Sequence, residues 1–403
     1  MDEGTLRRAR RNLLRWYRRR QRDLPWRRTQ DPYAIWVSEI MLQQTRVEVV
    51  VPYYERFLAR YPDVARLAAA PLDAVLQSWS GLGYYGRARR LHAAARRVVA
   101  AHGGELPDDM AALRRLPGIG RYTAGAIASI AFDSPEPCLD GNAARVLARF
   151  SLERTPVEAA PAQKRLWELA AAWARGSSPG EANQSLMELG AVLCTKAAPR
   201  CADCPLASAC RARARGLAAA LPRSRPRPPR LVVHLGAALL RQRAKLLLVR
   251  RSSGRLLRDW WELPTGRLEA RDGATAFRHQ VTARGGIEVR SWRRQPSGFR
   301  HAILSHRLEV ELFAGTAAGS PLASPPSRRA ATAATPLANL ELPSLDWRWV
   351  DRERCRSLPL TTLTRKALRT AARFDARWLE YVHESVGQDS ARERRRHPPE
   401  QHV

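Results

Sequence analysis

The chain has 403 residues, more than one hydrophobic core holds comfortably, so two folded units and a linker is the economical organisation. Its 45% hydrophobic content is ordinary for a globular protein, and no apolar run approaches the roughly 20 residues that cross a bilayer, which excludes a helical membrane protein. The formal net charge of +31 points to a polyanionic partner, but the excess is almost all arginine, with lysine only at Lys164, Lys196, Lys245 and Lys366. GC-rich coding produces the same bias, so charge alone does not assign the partner.

The arginine-rich N-terminus carries Asp2 and Glu3 and no long apolar core, unlike a signal or transit segment. Leu6, Ala9, Leu13, Trp16 and Tyr17 recur there at helical spacing, which predicts a first amphipathic helix. The same periodicity continues to about Arg211, as in Leu72, Val75, Leu76 and Trp79 and then Met110, Leu113 and Leu116, with glycine turns between the runs. Residues 1–215 therefore read as an all-helical unit. Within it, the polar stretch SEIMLQQT at 38–45 follows Trp36 and Val37, in a helix whose burial would not tolerate such residues without a purpose.

Residues 113–132, LRRLPGIGRYTAGAIASIAF, read as a helix end, a tight turn and a new helix. Gly118 and Gly120 lack a Cβ, so backbone N–H groups there can approach a phosphate, and the next helix adds its positive end. Thr123 follows, and then Leu139-Asp140-Gly141-Asn142.

Four of the six cysteines crowd together, with six, two and five residues between Cys194, Cys201, Cys204 and Cys210. This is no secreted disulfide framework. All four thiolates can converge on one object, and both zinc and a cubane iron-sulfur cluster accept four cysteines, so ligand type alone does not choose between them. Only one CxxC is present, whereas zinc ribbons pair two. Cys138 and Cys355 are expected to be small buried residues.

Residues 216–230, ending LPRSRPRPPR, are proline and arginine punctuation and form the expected linker. From 231 to 385 the pattern predicts an α+β unit: strands in LVVHLGAALL and KLLLVRR with a polar turn at Arg241 to Arg243, a helix over 274–284, and strands over 287–292 and 306–313. Residues 315–342, dominated by alanine, serine, threonine and proline, read as a flexible insertion, and 386–403 as a disordered tail.

These motifs together carry a resemblance. The cysteine spacing is similar to the [4Fe-4S] loop of helix-hairpin-helix DNA glycosylases related to endonuclease III, which makes the loop 194–210 a structural, DNA-docking element holding one cluster. The run from LPWR at 24–27 through SEIMLQQT and GLGYYGRAR to the last cluster cysteine resembles the MutY family of adenine DNA glycosylases. Hydrolysing an N-glycosidic bond needs one acid to protonate the leaving group and one carboxylate to stabilise an oxocarbenium-like centre. The resemblance gives the first role to Glu39 and the second to Asp140, with Tyr122 and Asn142 organising the pocket. It implies that Gln44 and Tyr84 enter the duplex, that Gly118, Gly120 and Thr123 grip its backbone, and that Trp26, Arg27, Leu42 and Gln184 wall an adenine pocket. Glycosylases that also cut the strand carry a lysine nucleophile where this sequence has Tyr122, so no lyase activity is expected.

KLLLVRR, LRDWWELPTG and GGIEV resemble a Nudix hydrolase. A working Nudix helix needs Arg-Glu and Glu-Glu to hold magnesium, and here His279, Gln280, Ala283 and Arg284 stand at those places, which leaves no divalent site. Leu304-Ser305-His306 matches the family's Phe-Ser-His lesion-reading loop. The resemblance thus implies a monomeric, monofunctional glycosylase acting on duplex DNA with adenine opposite 8-oxoguanine or guanine, in base excision repair. With no signal or membrane segment, the expected location is the cytoplasm of a bacterium, at the nucleoid.

Overall fold

A computed structural model describes residues 2–223, 229–251, 260–268, 273–303, 306–321 and 345–381. The chain divides into two compact units, Met1–Pro228 and Pro229–Val403. No helix among the described residues is long and apolar enough to cross a membrane.

The first unit is helical: α1 (Glu3–Arg20), α2 (Pro32–Leu42), α3 (Val47–Arg60), α4 (Val64–Ala69), α5 (Leu72–Ser78), α6 (Gly86–His102), α7 (Met110–Arg115), α8 (Arg121–Ala131), α9 (Gly141–Ser151), α10 (Ala160–Ala174), α11 (Pro179–Val192) and α12 (Arg211–Ala214). The N-terminal pattern does form an amphipathic helix, with Ala9, Leu13, Leu14 and Tyr17 buried and Asp2 capping it through Thr5 N at 2.8 Å.

Helix α2 begins where Asp31 accepts from Tyr33 N and Ala34 N and Pro32 supplies a preset first turn. Every residue from Tyr33 to Met41 is buried, so α2 is a core helix rather than a surface one, and it carries Glu39 inside. Helices α9, α10 and α11 pack with α1 around Leu147, Phe150, Leu166, Trp173, Leu186 and Leu189, and the cysteine loop closes one end of this core. Gly190 is required by that packing: a Cβ there would stand 2.8 Å from both Asn142 Cβ and its carbonyl oxygen.

Residues 216–223 do not behave as linker. Ala218 and Leu221 are buried, Arg149 Nε donates to Leu221 O at 2.8 Å, and Val157 N donates to Arg223 O at 3.2 Å. Ala218 and Leu221 outweigh the surrounding proline and arginine and dock this stretch on the helical unit.

The second unit is a mixed sheet, with strand order β3-β2-β1-β8-β5 and the remaining strands pairing off that path. Its strands are β1 (Leu231–Gln242), β2 (Lys245–Arg251), β3 (Trp261–Glu262), β4 (Thr265–Arg267), β5 (Glu288–Val289), β6 (Arg293–Arg294), β7 (Phe299–Ile303), β8 (His306–Ala318) and β9 (Leu345–Val350), with α13 (Gly273–Gly285), α14 (Arg352–Ser357) and α15 (Thr362–Ala372). β1 and β2 form a hairpin that turns at Arg243 and Ala244, and β1 runs parallel to β8 from Leu231↔His306 to Arg241↔Thr316. Both sheet faces are covered. Leu235, Ala237 and Leu239 of β1 face α14 and α15, whereas Ala238 and Leu240 face Phe277 and Val281 of α13. Strands buried on two faces read as continuous apolar runs, as LVVHLGAALL does.

Two expectations need correction. The strand expected over 287–292 is confined to Glu288–Val289, because Arg290 N and Ser291 N both donate to Thr316 O and bend the chain there. The insertion expected from 315 begins later: β8 continues to Ala318, held on one side by β1 and on the other by β5. The remainder of that insertion beyond 321, and the tail 386–403, lie outside the described residues.

Candidate active site

Glu39 on α2 is 6% exposed. Burial drives its carboxyl up to about 7, a bond from the Tyr122 hydroxyl favours the ionised form, and the nearby Asp140 charge opposes it. Near neutrality the group therefore holds its proton about half the time, the condition for a general acid. Asp140 is the N-cap of α9, accepting from Ala143 N at 2.7 Å and from Asn142 Nδ2 at 3.0 Å. Burial raises its pKa from the ordinary aspartate value, and those bonds oppose the rise by favouring the anion. The Tyr122 hydroxyl also lies 3.2 Å from Met187 Sδ, a competing acceptor for its single proton. The fold thus brings Glu39, Tyr122, Asp140 and Asn142 from α2, α8 and α9 to one place.

The residues expected to wall a pocket converge only partly. Arg27 lies close enough to Glu39 to favour its anion. Its Nη2 donates to Glu188 Oε2 at 2.8 Å, and its guanidinium lies over the Tyr17 ring at 5.4 Å from the centroid. Tyr17 in turn donates to Gln184 Oε1 at 3.2 Å, so Arg27 and Gln184 share one network. Trp26 is buried edge-on against Tyr54, and Leu42 ends α2, half-buried.

Sequence reasoning missed Glu188, the centre of that network. Its side chain has no exposed surface; Arg22 reaches it with Nε at 2.9 Å and Nη2 at 2.8 Å, besides Arg27. Burial alone would raise this carboxyl, but the hydrogen bonds from Arg22 and then Arg27 win and hold it at about 2. Its sequence signal, an acidic residue among the apolar positions of NQSLMELG, is visible only once α11 is known to be buried there.

Gly118 adopts φ +84 and is exposed, and a Cβ there would stand 2.8 Å from Arg90 Cβ, so both conformation and space require glycine. Gly120 caps α8 with open space around it, while Thr123 is buried and accepts from Gln43 Nε2 at 3.4 Å. Gln44 and Tyr84 are exposed and hold φ +58 and +48, a region that costs other side chains about 1–3 kcal/mol. The Lys164 and Lys196 amines of the helical unit are both on its surface.

Cys194, Cys201, Cys204 and Cys210 line one small cavity, together with Val146, Phe150, Leu189 and Leu206. Arg149, 1% exposed, donates to Cys194 Sγ at 3.2 Å and to the carbonyls of Cys194, Thr195 and Lys196, which folds the loop around it. Backbone N–H groups of Leu206, and of Ala212 and Arg213, point at the Cys204 and Cys210 sulfurs. Among the described residues no three His, Cys, Asp or Glu side chains close on a single ion. Four sulfurs spaced around a shared apolar cavity, with N–H donors aimed at three of them, fit a polynuclear iron-sulfur group. The two remaining cysteines, Cys138 and Cys355, are buried.

In the sheet unit His306 is buried at the start of β8, opposite Leu231 and Ile303, whereas Leu304 and Ser305 lie outside the described residues. Helix α13 carries no carboxylate.

Residues 37–172 match the family described as HhH-GPD superfamily base excision DNA repair protein. The matched stretch runs from Val37 in α2 through most of α10 and includes Glu39, Tyr122, Asp140 and Asn142. Over 227 residues the chain is 48% identical to the adenine DNA glycosylase of Rattus norvegicus, covering 53% of this chain and 44% of that one. It thus spans less than half of that relative's length. A thermostable thymine-DNA glycosylase of known structure is 28% identical at a TM-score of 0.48, over 53% of this chain and 98% of that chain. The C-terminal domain of mouse MUTYH, solved with human PCNA, is 17% identical at a TM-score of 0.26, over 39% of this chain and 96% of that chain.

Proposed function

We propose that this chain is a monofunctional DNA glycosylase that hydrolyses the N-glycosidic bond of adenine mispaired with 8-oxoguanine or guanine in duplex DNA. The observation that carries the reading is Glu39: a buried carboxyl poised near pH 7 beside Asp140, in a helical unit 48% identical to an adenine DNA glycosylase.

The adenine leaves the base stack, at a cost of about a few kcal/mol, and enters the site on the side of Arg27 and Gln184, which share one network. Protonated Glu39 gives its proton to adenine N7, and the bond from N9 to the sugar C1′ breaks with its electron pair moving to the base. Positive charge on the sugar is met by the Asp140 carboxylate, which Ala143 N and Asn142 Nδ2 hold in place. Ionised Glu39 then takes a proton from water as its oxygen bonds C1′, and the acid is regenerated. With tyrosine at 122 and both amines of this unit on its surface, no Schiff base forms, so the strand stays intact.

The four cysteines would hold a [4Fe-4S] cluster, one per chain, whose chemistry is to cross-link the loop rather than to enter the hydrolysis. The sheet unit, with His306 and the two residues before it, would read the base opposite the adenine. A Nudix-like fold whose helix α13 carries no carboxylate suits a reader and not a diphosphatase.

A single-turnover assay on a duplex with adenine opposite 8-oxoguanine tests this. Free adenine is expected, with strand breaks only after alkali, and both Glu39→Gln and Asp140→Asn should abolish release. Breaks before alkali, or undiminished release by either variant, would overturn the mechanism.

A further inference from the structure

Arg87, in the first turn of α6, is 3% exposed, and its guanidinium sits between two loops. Nη1 donates to the carbonyls of Ile40 and Met41, both at 2.8 Å, and of Gln43 at 2.6 Å. Nη2 reaches Thr45 Oγ1 and Gly83 O, both at 3.0 Å, and Nε reaches Tyr84 O at 3.4 Å. The rings of Trp79 and Tyr84 flank the cation at 5.4 and 5.6 Å. Gln44 lies between two of these partners, Gln43 and Thr45, and the backbone of Tyr84 is itself another.

Gln44 and Tyr84 are exposed residues in left-handed backbone conformations, which persist only where their surroundings fix them. What fixes them here is one planar fork bonded to both loops. We infer that Arg87 is a positioning residue that fuses the Gln44 and Tyr84 loops into a single wedge formed before DNA arrives. The inference rests on the reading of those two side chains as the ones that enter the duplex. Holding both loops in advance moves their ordering cost from the DNA-bound step to folding, so more of the binding free energy remains for unstacking. An ammonium cannot replace the guanidinium. Lysine presents its donors from one point and cannot span carbonyls on two loops.

The test uses the full chain and two duplexes, one with adenine paired opposite 8-oxoguanine and one with the same adenine in a bulge, where unstacking is already done. A 2-aminopurine beside the target reports unstacking by its fluorescence. Arg87→Lys should suppress that fluorescence rise and slow excision from the paired duplex by roughly ten- to a hundredfold, as small misplacements do. It should release adenine from the bulged duplex at close to the wild-type rate. In a Gln44→Ala/Tyr84→Ala background the same substitution should add little, since the wedge is already gone. Thr45→Val, which removes one bond of the fork, should show the same substrate split more weakly and covers the case of an Arg87 variant that fails to fold.

An equal loss on both duplexes would overturn the inference by placing Arg87's effect on Glu39 and its helix. So would losses that multiply with the double alanine change, or wild-type behaviour on the paired duplex by Arg87→Lys and Thr45→Val. If the wild type released adenine from neither duplex, the proposed function itself would fall instead.

Discussion

Replacing Glu39 by glutamine should stabilise the helical unit, and by an amount set by pH. The buried carboxyl has a pKa of about 7 in the folded protein against 4.5 in an unfolded chain. That gap corresponds to roughly 3 kcal/mol. Below the unfolded value the group is protonated in both states and its contribution to stability is complete. As pH rises between the two values the unfolded chain gives up the proton and the folded one does not, so stability is lost, and the loss is complete above the folded value. Glutamine has the same shape and no charge to desolvate. Melting followed by helical ellipticity should therefore give wild type and Glu39→Gln similar midpoints near pH 4.5. Near pH 8 the variant should melt higher by about 6 to 12 °C, for a unit of roughly 200 residues. Midpoints that run parallel across this range, or a gap that closes as pH rises, would refute the assignment of a raised pKa.

Excision should follow a bell-shaped pH profile, falling above about 7 as Glu39 loses its proton. Asn142→Ala removes a bond that favours the Asp140 anion, so the acid limb should move to higher pH, which a single-turnover profile would detect. Glu188→Gln leaves Arg22 and Arg27 without their buried counter-charge and should destabilise the unit by about 3 to 5 kcal/mol in chemical denaturation. Because this carboxyl is depressed to about 2, its contribution is present above the unfolded value of 4.5 and should fade as pH falls toward 2. Arg149→Met strips donors from three carbonyls of the cysteine loop and from Cys194 Sγ. Iron and acid-labile sulfide measured per purified chain should drop well below wild type.

How much of this was legible in the sequence depended on whether a residue's meaning is local. The helical periodicity of residues 1–215, the hairpin glycines and the cysteine spacing are short-range patterns, and each has its counterpart in an element or a cavity of the fold. Asp140 was legible as part of a motif, and the fold adds that it caps α9 through Ala143 N. Composition misled where a few residues overrule the rest: Ala218 and Leu221 anchor a stretch that looks like linker, and pairing with β1 and β5 carries β8 into a stretch that looks unstructured. Arg87 and Arg149 could not be singled out, because in a chain with 69 lysines and arginines a buried arginine looks like any other. Their roles arise from carbonyls contributed by segments up to 72 residues away.

Glu39 and Glu188 make the same point about chemistry. Both are glutamates buried in the same helical unit, and on burial alone both carboxyls would titrate high. Two arginines reach Glu188 and drive it to about 2, whereas Glu39 has one tyrosine hydroxyl in its favour and a carboxylate against it, and stays at about 7. The first is thereby fixed as a permanent anion that anchors Arg27, and the second is left as an acid that can give and take a proton. The same Arg27 is bonded to one and felt weakly by the other, so the ion pair at Glu188 draws the cation away from the acid. A Glu188→Gln change should then act on the chemistry as well as on stability. Freed from its partner, Arg27 can turn toward Glu39, lower its pKa and shift the alkaline limb of the excision profile to lower pH. An alkaline limb unchanged in a folded Glu188→Gln protein would show that Glu188 serves stability alone.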